Sequence, residues 1–247
     1  MKILILIGSN GGVGKHLLVK SLNYFDKVIA IDQIIPAKKL NERVYYHKIN
    51  LLDDNVGSNL IKKLKVFKNE SFTIIFAQRP FLDLNPKSDK DDIIQALKIS
   101  LLSSLDIIEN CRENFELKKV AFIGSINSKL VCDQPLSYMI AKSSCDTAIK
   151  FMSKKYPEII FLNFILGLVN IKDKTNNFSS NLRKENAAYA AIGFRNIPEL
   201  DLISENIFNF IFHSNPLTSG NNIYLDFGQH FTDSFWSARI AADNKYD

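Results

Sequence analysis

A tyrosine and a lysine are spaced so that they could transfer a proton together. Tyr138 and Lys142 are four residues apart in a segment whose apolar residues recur at helical spacing, so both side chains share one helix face. An ammonium group beside a phenol favours the phenolate form, which suits a general acid or base. The pair alone is weak evidence, because surface helices produce the same spacing by chance.

A serine strengthens the prediction of a catalytic site. Ser125 closely follows the apolar run Val120–Ile123, which has the length and composition of a buried strand. In a parallel sheet, a polar residue just past the carboxyl end of a strand points into the ligand crevice. We therefore expect Ser125 to lie at the same site as the tyrosine and the lysine.

A glycine-rich segment has the features of a phosphate-binding loop. Four of the ten glycines of the chain lie in Gly8-Ser9-Asn10-Gly11-Gly12-Val13-Gly14, between an apolar run and a helical pattern. Glycines let the backbone approach a diphosphate, and the free N–H groups of a helix N-terminus favour an anion. An ordinary tight turn needs fewer glycines, so the segment predicts a nucleotide site.

Two kinds of nucleotide site are compatible with a glycine loop. A P-loop needs Ser or Thr after its lysine to hold Mg²⁺, whereas His16 follows Lys15. A dinucleotide site needs an acidic residue about 20 positions on, at the end of the second strand, and Asp32 is placed there. A carboxylate accepts hydrogen bonds from the adenosine ribose and repels a 2′-phosphate. Because Gln33 rather than Arg follows, the pattern favours NAD over NADP and disfavours a P-loop NTPase.

The elements that would position these residues alternate along the chain. Short runs rich in Ile, Val or Phe are separated by segments with helical spacing, such as Ile93 to Ile108. The runs are Ile3–Ile7, Val28–Ile31, Val44–Ile49, Phe72–Ala77, Val120–Ile123, Ile159–Ile165 and Ile223–Leu225. This alternation predicts an α/β fold, doubly wound, with a parallel sheet covered by helices on both faces. No linker or repeat divides the chain, so residues 1–247 are read as a single domain.

Composition excludes several classes of function. The chain has 31 Lys and Arg against 26 Asp and Glu, and the basic residues are scattered, so a nucleic-acid partner is not expected. The longest apolar run, Ile159 to Val169, is too short to span a membrane. The three cysteines have no pairing pattern and the four histidines have no ligand spacing. We expect a cytoplasmic protein in which no metal takes part.

In order and spacing, these motifs resemble those of the short-chain dehydrogenases/reductases over essentially the whole chain. The glycine loop is similar to the family's TGxxxGxG, with Ile7 in place of Thr, and Asp32 matches its NAD-selecting acid. The residues Ser125, Tyr138 and Lys142 match its Ser–Tyr–Lys set. The segment from Asn163 to Val169 resembles NxxPGxV, with Leu166 in place of Pro.

The sequence also departs from the family pattern. The family's NNAG after the fourth strand appears as Ala77-Gln78-Arg79-Pro80, and its Asn in the long fourth helix, which supports a proton-relay water, falls at about Ser100. The Asp that meets adenine is Asn50, and the Thr after PGxV falls at Ile171. These substitutions bear on the proton relay and the cofactor pose, and they leave the Ser–Tyr–Lys set intact.

The resemblance implies a Rossmann-like, mostly seven-stranded sheet and hydride transfer between a nicotinamide and a carbonyl or alcohol carbon of a small molecule. Tyr138 would be the general acid/base, Lys142 would hold the nicotinamide ribose, and Ser125 would bind the substrate oxygen. Residues expected to contact NAD are Gly8, Ser9, Asn10, Gly12, Val13, Gly14, Asp32, Gln33, Asn50, Leu51, Ala77, Gln78, Tyr138, Lys142, Gly167 and Val169.

The resemblance further implies a substrate pocket and an oligomer. The pocket walls would come from Ile126–Pro135 and Leu168–Asn186, with the second stretch as a candidate lid. The family commonly forms homodimers and homotetramers through its fourth and fifth helices, and the broadly apolar segment Asp92 to Cys111 fits such an interface. The alternative hypothesis is a dinucleotide-binding protein of the same fold with little turnover, acting as a sensor or scaffold. The sequence does not specify the substrate.

Overall fold

Seven parallel strands form one sheet in the order β3-β2-β1-β4-β5-β6-β7. The computed structural model describes residues 1–80, 90–129, 135–167, 169 and 198–226. The strands are β1 (Lys2–Ile7), β2 (Lys27–Asp32), β3 (Val44–Lys48), β4 (Ser71–Phe76), β5 (Glu116–Ser125), β6 (Ile160–Leu166) and β7 (Asn221–Leu225). The order reverses between β1 and β4, which is the Rossmann arrangement. The predicted α/β fold with a doubly wound parallel sheet is confirmed.

Helices cover both faces of this sheet, as expected for parallel strands joined by crossovers. They are α1 (Gly12–Ser21), α2 (Val56–Leu64), α3 (Lys90–Leu97), α4 (Ser103–Asn114), α5 (Leu136–Lys155) and α6 (Leu200–His213). Helices α2, α4 and α5 pack on one core with Ile3, Ile5 and Ile7, while α1 and α6 pack on the other with Leu4 and Leu6. Since alternate side chains of β1 enter opposite cores, the strand reads as one continuous apolar run.

The helical stretch that contains α3 and α4 differs from its prediction. Helical spacing from Ile93 to Ile108 predicted one regular helix, but a π-helical segment, Lys98–Leu102, separates α3 from α4. Downstream of it the buried face includes Ser103 and Ser104, whereas Leu102 is exposed. The extra residue in the π turn changes which positions face the core, and an apolar pattern cannot show this because serines occupy the inward positions.

Helix α2 depends on a neighbouring helix for its N-terminal cap. Its own N-cap residue, Asn55, makes no side-chain hydrogen bond, and the backbone N–H of Gly57 donates to Oδ2 of Asp106 at 2.7 Å. A Cβ atom at Gly57 would lie 2.5 Å from the carbonyl oxygen of Asp106. Glycine therefore lets α2 and α4 approach closely enough for this contact.

Several sequence-based expectations fall outside the described residues. These are part of Ile126–Pro135 and most of Leu168–Asn186, both expected as pocket walls, and Ile171. Within the described ranges, no helix is both long and apolar enough to cross a bilayer.

Candidate active site

The glycine loop is shaped by two backbone approaches that only glycine permits. Gly8 follows β1 with φ of +80°, and a Cβ there would lie 2.5 Å from the backbone nitrogen of Gln78. A Cβ at Gly14 would lie 1.9 Å from the carbonyl oxygen of Gly8. The loop therefore turns tightly between β1 and α1 and brings the helix N-terminus close to the end of β4.

The N-terminus of α1 is suited to an anion. The helix begins at Gly12. Its N-cap residue is Gly11, which has no side chain to cap the helix, and its first turn has no acidic residue. The first N–H groups of a helix lack intrahelical partners, and the helix dipole adds positive potential there. The residues present therefore fit the diphosphate of a dinucleotide.

Asp32 is held beside this loop at the end of β2. Its Oδ2 accepts the backbone N–H of Asn10 at 2.9 Å, and its Oδ1 accepts the N–H of Ile34 at 3.3 Å. A carboxylate oxygen has a second lone pair, so each oxygen can accept one further donor. The carboxylate is thus oriented by the chain, and its geometry is suited to accepting a ribose hydroxyl.

The predicted Ser–Tyr–Lys residues are all buried, with Ser125, Tyr138 and Lys142 only 8%, 9% and 8% exposed. Ser125 ends β5, and its Oγ accepts the backbone N–H of Asn127 at 3.3 Å. Nζ of Lys142 donates to the carbonyl oxygen of Ile123 at 2.8 Å and lies 5.8 Å from the ring centroid of Tyr138. This bond ties α5 to β5 two residues before the serine, so the structure brings the set to one strand end.

A second cation lies against Tyr138 and was missed by the sequence analysis as a site residue. The guanidinium carbon of Arg79 is 5.2 Å from the tyrosine ring centroid. Arg79 is exposed and comes soon after β4, at the same edge of the sheet as Ser125. That position after a strand end was the available signal, because such residues face the crevice.

Gln78 connects the end of β4 to the π-helical segment. Its Nε2 donates to Oγ of Ser104 at 2.9 Å and to the carbonyl oxygen of Ile99 at 3.3 Å. Among the described residues, Oε1 of Gln78 and Oγ of Ser100 are buried without a hydrogen-bond partner. Ser100 lies within the π-helical segment itself, so its unpartnered hydroxyl belongs to the distorted turn of the helix.

The other residues predicted to contact a dinucleotide lie near the carboxyl ends of the strands. Ala77 follows β4, Asn50 and Leu51 follow β3, Gln33 follows β2, and Gly167 and Val169 follow β6. Val13 and Val169 pack against the core under α1 and α6, and Ser9 is buried. Asn50 is exposed and bonds to Asp53 and Leu52.

The chain is similar to known proteins in its three-dimensional structure, whereas its sequence matches no family model and no curated protein. A solved 4-hydroxyisoleucine dehydrogenase complexed with NADH has a TM-score of 0.77 at 18% identity, over 92% of this chain and 97% of that one. ElxO with NADP bound has a TM-score of 0.79 at 13% identity, over 94% and 99%.

A short-chain dehydrogenase family protein from Francisella tularensis subsp. tularensis SCHU S4 is similar over 94% of this chain and 99% of its own, with a TM-score of 0.66 and 18% identity. The chain therefore has the short-chain dehydrogenase/reductase fold, as its motifs predicted. At these identities the likeness defines the fold alone, and the chemistry depends on the residues of the site.

Proposed function

We propose that this protein is an NAD(H)-dependent oxidoreductase that transfers a hydride between nicotinamide and a carbonyl or alcohol carbon of a small molecule. The observation that carries the proposal is the placement of Tyr138 and Lys142. The lysine ammonium is anchored to the carbonyl oxygen of Ile123 and lies beside the tyrosine ring, at the strand end that carries Ser125. Such a buried phenol and ammonium, with a hydroxyl at the same strand end, are suited to acid/base chemistry on an oxygen atom.

The dinucleotide would be held by residues whose geometry suits each of its parts. The loop from Gly8 to Gly14 and the N-terminus of α1 would bind the diphosphate, and Asp32 would accept the adenosine ribose hydroxyls. Lys142 uses one of its three N–H donors on Ile123, and the others would bind the nicotinamide ribose. When bound, the nicotinamide supplies or accepts the hydride.

The protein residues would handle the proton and the position of the substrate. Tyr138 would give a proton to the substrate oxygen, or take one from it, through its phenolic oxygen. Ser125 would donate its hydroxyl hydrogen to the same oxygen, since the bond from Asn127 uses Oγ as an acceptor. Holding the substrate oxygen between two hydroxyl groups orients the reacting carbon and removes much of the entropic barrier.

Preference for NAD rests on Asp32. Similar structures contain NADH in one case and NADP in another, so the fold does not decide between them. The carboxylate of Asp32 is fixed by two backbone N–H groups beside the glycine loop. A 2′-phosphate placed there would face this negative charge, whereas a 2′-hydroxyl would donate to it.

The proposal is tested by NADH oxidation in a panel of aldehydes, ketones and oxo acids, and by NAD⁺ reduction with the matching alcohols. The wild type should turn over at least one pair, and Tyr138→Phe should lose at least about 100-fold in kcat, the lower range of general acid/base contributions. Tyr24→Phe is the control, because Tyr24 packs on α6 and bonds to Asn209. Equal activity in wild type and Tyr138→Phe would overturn the assigned role.

Two observations favour the second candidate, a dinucleotide-binding protein with little turnover. Ser100 stands where the family has its relay asparagine, and its Oγ has no partner among the described residues. The guanidinium of Arg79 also lies over the face of Tyr138. Tight NADH binding with no turnover of the whole panel would support this sensor or scaffold function.

A further inference from the structure

A buried carboxylate that the proposed chemistry does not use lies behind the site. Asp146 is on α5, one turn after Lys142, and is 2% exposed. Its Oδ2 accepts the hydroxyl of Ser128 at 2.7 Å and pairs with Nζ of Lys129 at 2.9 Å. Its Oδ1 accepts Nδ2 of Asn163 at 2.7 Å. A carboxylate buried away from water is costly unless it is paired and hydrogen-bonded. Its partners Ser128, Lys129 and Asn163 are therefore held in place by their contacts with it.

These contacts hold the turn that follows the predicted catalytic serine. Ile126–Ser128 forms a short 3₁₀ turn directly after Ser125. Ser128 is held from two positions on α5, since its hydroxyl donates to Asp146 and its carbonyl oxygen accepts the hydroxyl of Ser143 at 2.9 Å. The helix that carries Tyr138 and Lys142 therefore fixes the chain three residues after Ser125.

The same carboxylate is connected to the sheet on its other side. Nδ2 of Asn163, in β6, donates to Asp146 and to Oδ1 of Asn222 in β7. A Cβ at Gly124 would lie 2.7 Å from Oδ1 of Asn163, so the residue before Ser125 has to be glycine to accommodate this amide. The hydrogen-bonded group thus packs directly against the backbone that presents Ser125.

We propose that Asp146 is a positioning residue, which fixes the turn after Ser125 to the helix of Tyr138 and thereby sets the serine hydroxyl relative to the phenol. The part of this proposal that concerns catalysis rests on the proposed function. The part that concerns the turn depends on the hydrogen bonds alone.

The hydrogen-bond donors around Asp146 determine which substitutions test its role. The amide introduced by Asp146→Asn has one oxygen and one NH₂ group, so in either orientation the NH₂ faces donors, from Asn163 or from Lys129. Adding Lys129→Met removes the ammonium, and the hydroxyl of Ser128 can then accept from the new amide. The net charge of the pair is zero in the wild type and in the double variant. With the hydrogen bond to Ser128 restored and the charge unchanged, the double variant should recover the turn that the single variant loosens.

Amide hydrogen exchange of residues 123–129, followed by mass spectrometry, reports the turn without needing a substrate. Asp146→Asn should speed exchange in this segment, where the N–H groups of Asn127 and Lys129 bond to Ser125 and Ile126. The double variant should return towards the wild-type rate. Asp106→Asn is the control, because that carboxylate bonds to Gly57 and Asn110 and joins α2 to α4 instead.

Kinetics test the catalytic consequence on any substrate found in the panel. In Asp146→Asn, kcat should fall by up to about 100-fold, since a misplacement of about 1 Å at a catalytic group can cost that much. The KM for NADH should stay within about twofold, since the glycine loop is untouched, and the double variant should recover kcat. The control should lower the unfolding temperature without changing kcat.

The possible results separate the two claims. Unchanged exchange in Asp146→Asn, or faster exchange that the double variant does not reverse, would overturn the proposal. Reversible loosening of the turn with unchanged kcat would also overturn it, because the role would then be structural only. If the wild type turns over no substrate, the proposed function fails, and the exchange data still decide whether Asp146 fixes the turn.

Discussion

At the residue scale, the site depends on a few close approaches between backbone atoms. Position 14 lies against the carbonyl oxygen of Gly8, while position 11 is exposed and a Cβ there would lie at an ordinary 3.5 Å from the same oxygen. Gly11 and Gly14 belong to one loop and differ in the space that a Cβ would have, so an alanine at Gly11 is a matched control for an alanine at Gly14.

We predict that Gly14→Ala deforms the loop and Gly11→Ala does not. A Cβ 1.9 Å from the Gly8 oxygen has to displace backbone, which costs about 1–3 kcal/mol for overpacking. If that cost falls on the binding-competent loop, the Kd for NADH rises roughly ten- to 100-fold. Fluorescence titration of both variants measures this, and equal Kd values would contradict the account of the loop.

The sequence could point only to those candidate site residues whose signals are local, and their roles stay predictions. The glycine loop, Asp32 and the Ser–Tyr–Lys set each combine a residue type with a strand end or a helix spacing, both readable from neighbouring residues. The role proposed for Asp146 could not be predicted this way, because it depends on a contact with Asn163 across the α5–β6 connection. For Arg79 the sequence held one signal, its place after the end of β4, and the contact with Tyr138 adds it to the candidate site.

At the element scale, α5 and β5 carry most of the site. Tyr138, Lys142 and Asp146 follow one another at four-residue spacing on α5, so one helix face presents all three to the end of β5. The strand positions were predictable because buried parallel strands are continuous apolar runs. The π-helical segment was not, since its inward residues include Ser100 and the apolar pattern continues across it.

Strand β5 is also joined to the end of α6 by Lys119. Its three Nζ–H groups are shared among four acceptors, the carbonyl oxygens of Ile211, Phe212 and Ser214 and Oγ of Ser214. Burial, and secondarily the nearby charge of Lys2, lower the pKa of this lysine. The ammonium caps the last turn of α6, where the helix dipole favours a cation.

We predict that Lys119→Met destabilises the protein and that Lys118→Met does not. The first change leaves part-buried carbonyl groups without their donor, at a cost of about 1–3 kcal/mol. Lys118 is exposed and pairs with Glu116 on the surface, a contact worth roughly 0–1 kcal/mol. Urea unfolding of both variants gives the two free energies, and a similar loss in each would contradict this role of Lys119.

At the scale of the whole molecule, large apolar side chains are exposed on helices α3 and α5 and on the π-helical segment. Ile94 on α3 and Leu102 in the π segment are 44% and 53% exposed, and Phe151 on α5 is 65% exposed. Helices α3 and α5 pack together in this region. We propose that these surfaces pair in a homodimer or homotetramer, which would cover the exposed apolar area.

Light scattering at micromolar concentration tests this assembly. We expect the mass of two or four chains of 28.1 kDa. Leu102→Lys should shift the mass towards that of a single chain, because a charge would be buried at the contact, and Val66→Lys, on an exposed position after α2, serves as its control. A monomeric wild type would refute the proposed oligomer.

Under the proposed function, the edge formed by the carboxyl ends of the strands binds NAD(H), and titration with NADH and, separately, NADPH measures that binding. Nicotinamide fluorescence should report saturable NADH binding, with NADPH at least about tenfold weaker because its 2′-phosphate faces Asp32. Asp32→Ser should narrow that difference, while Asp26→Ser, which removes a carboxylate bonded to Lys2 instead, should preserve it. Failure to bind either dinucleotide would contradict the claim, and equal affinity for both would contradict the role of Asp32.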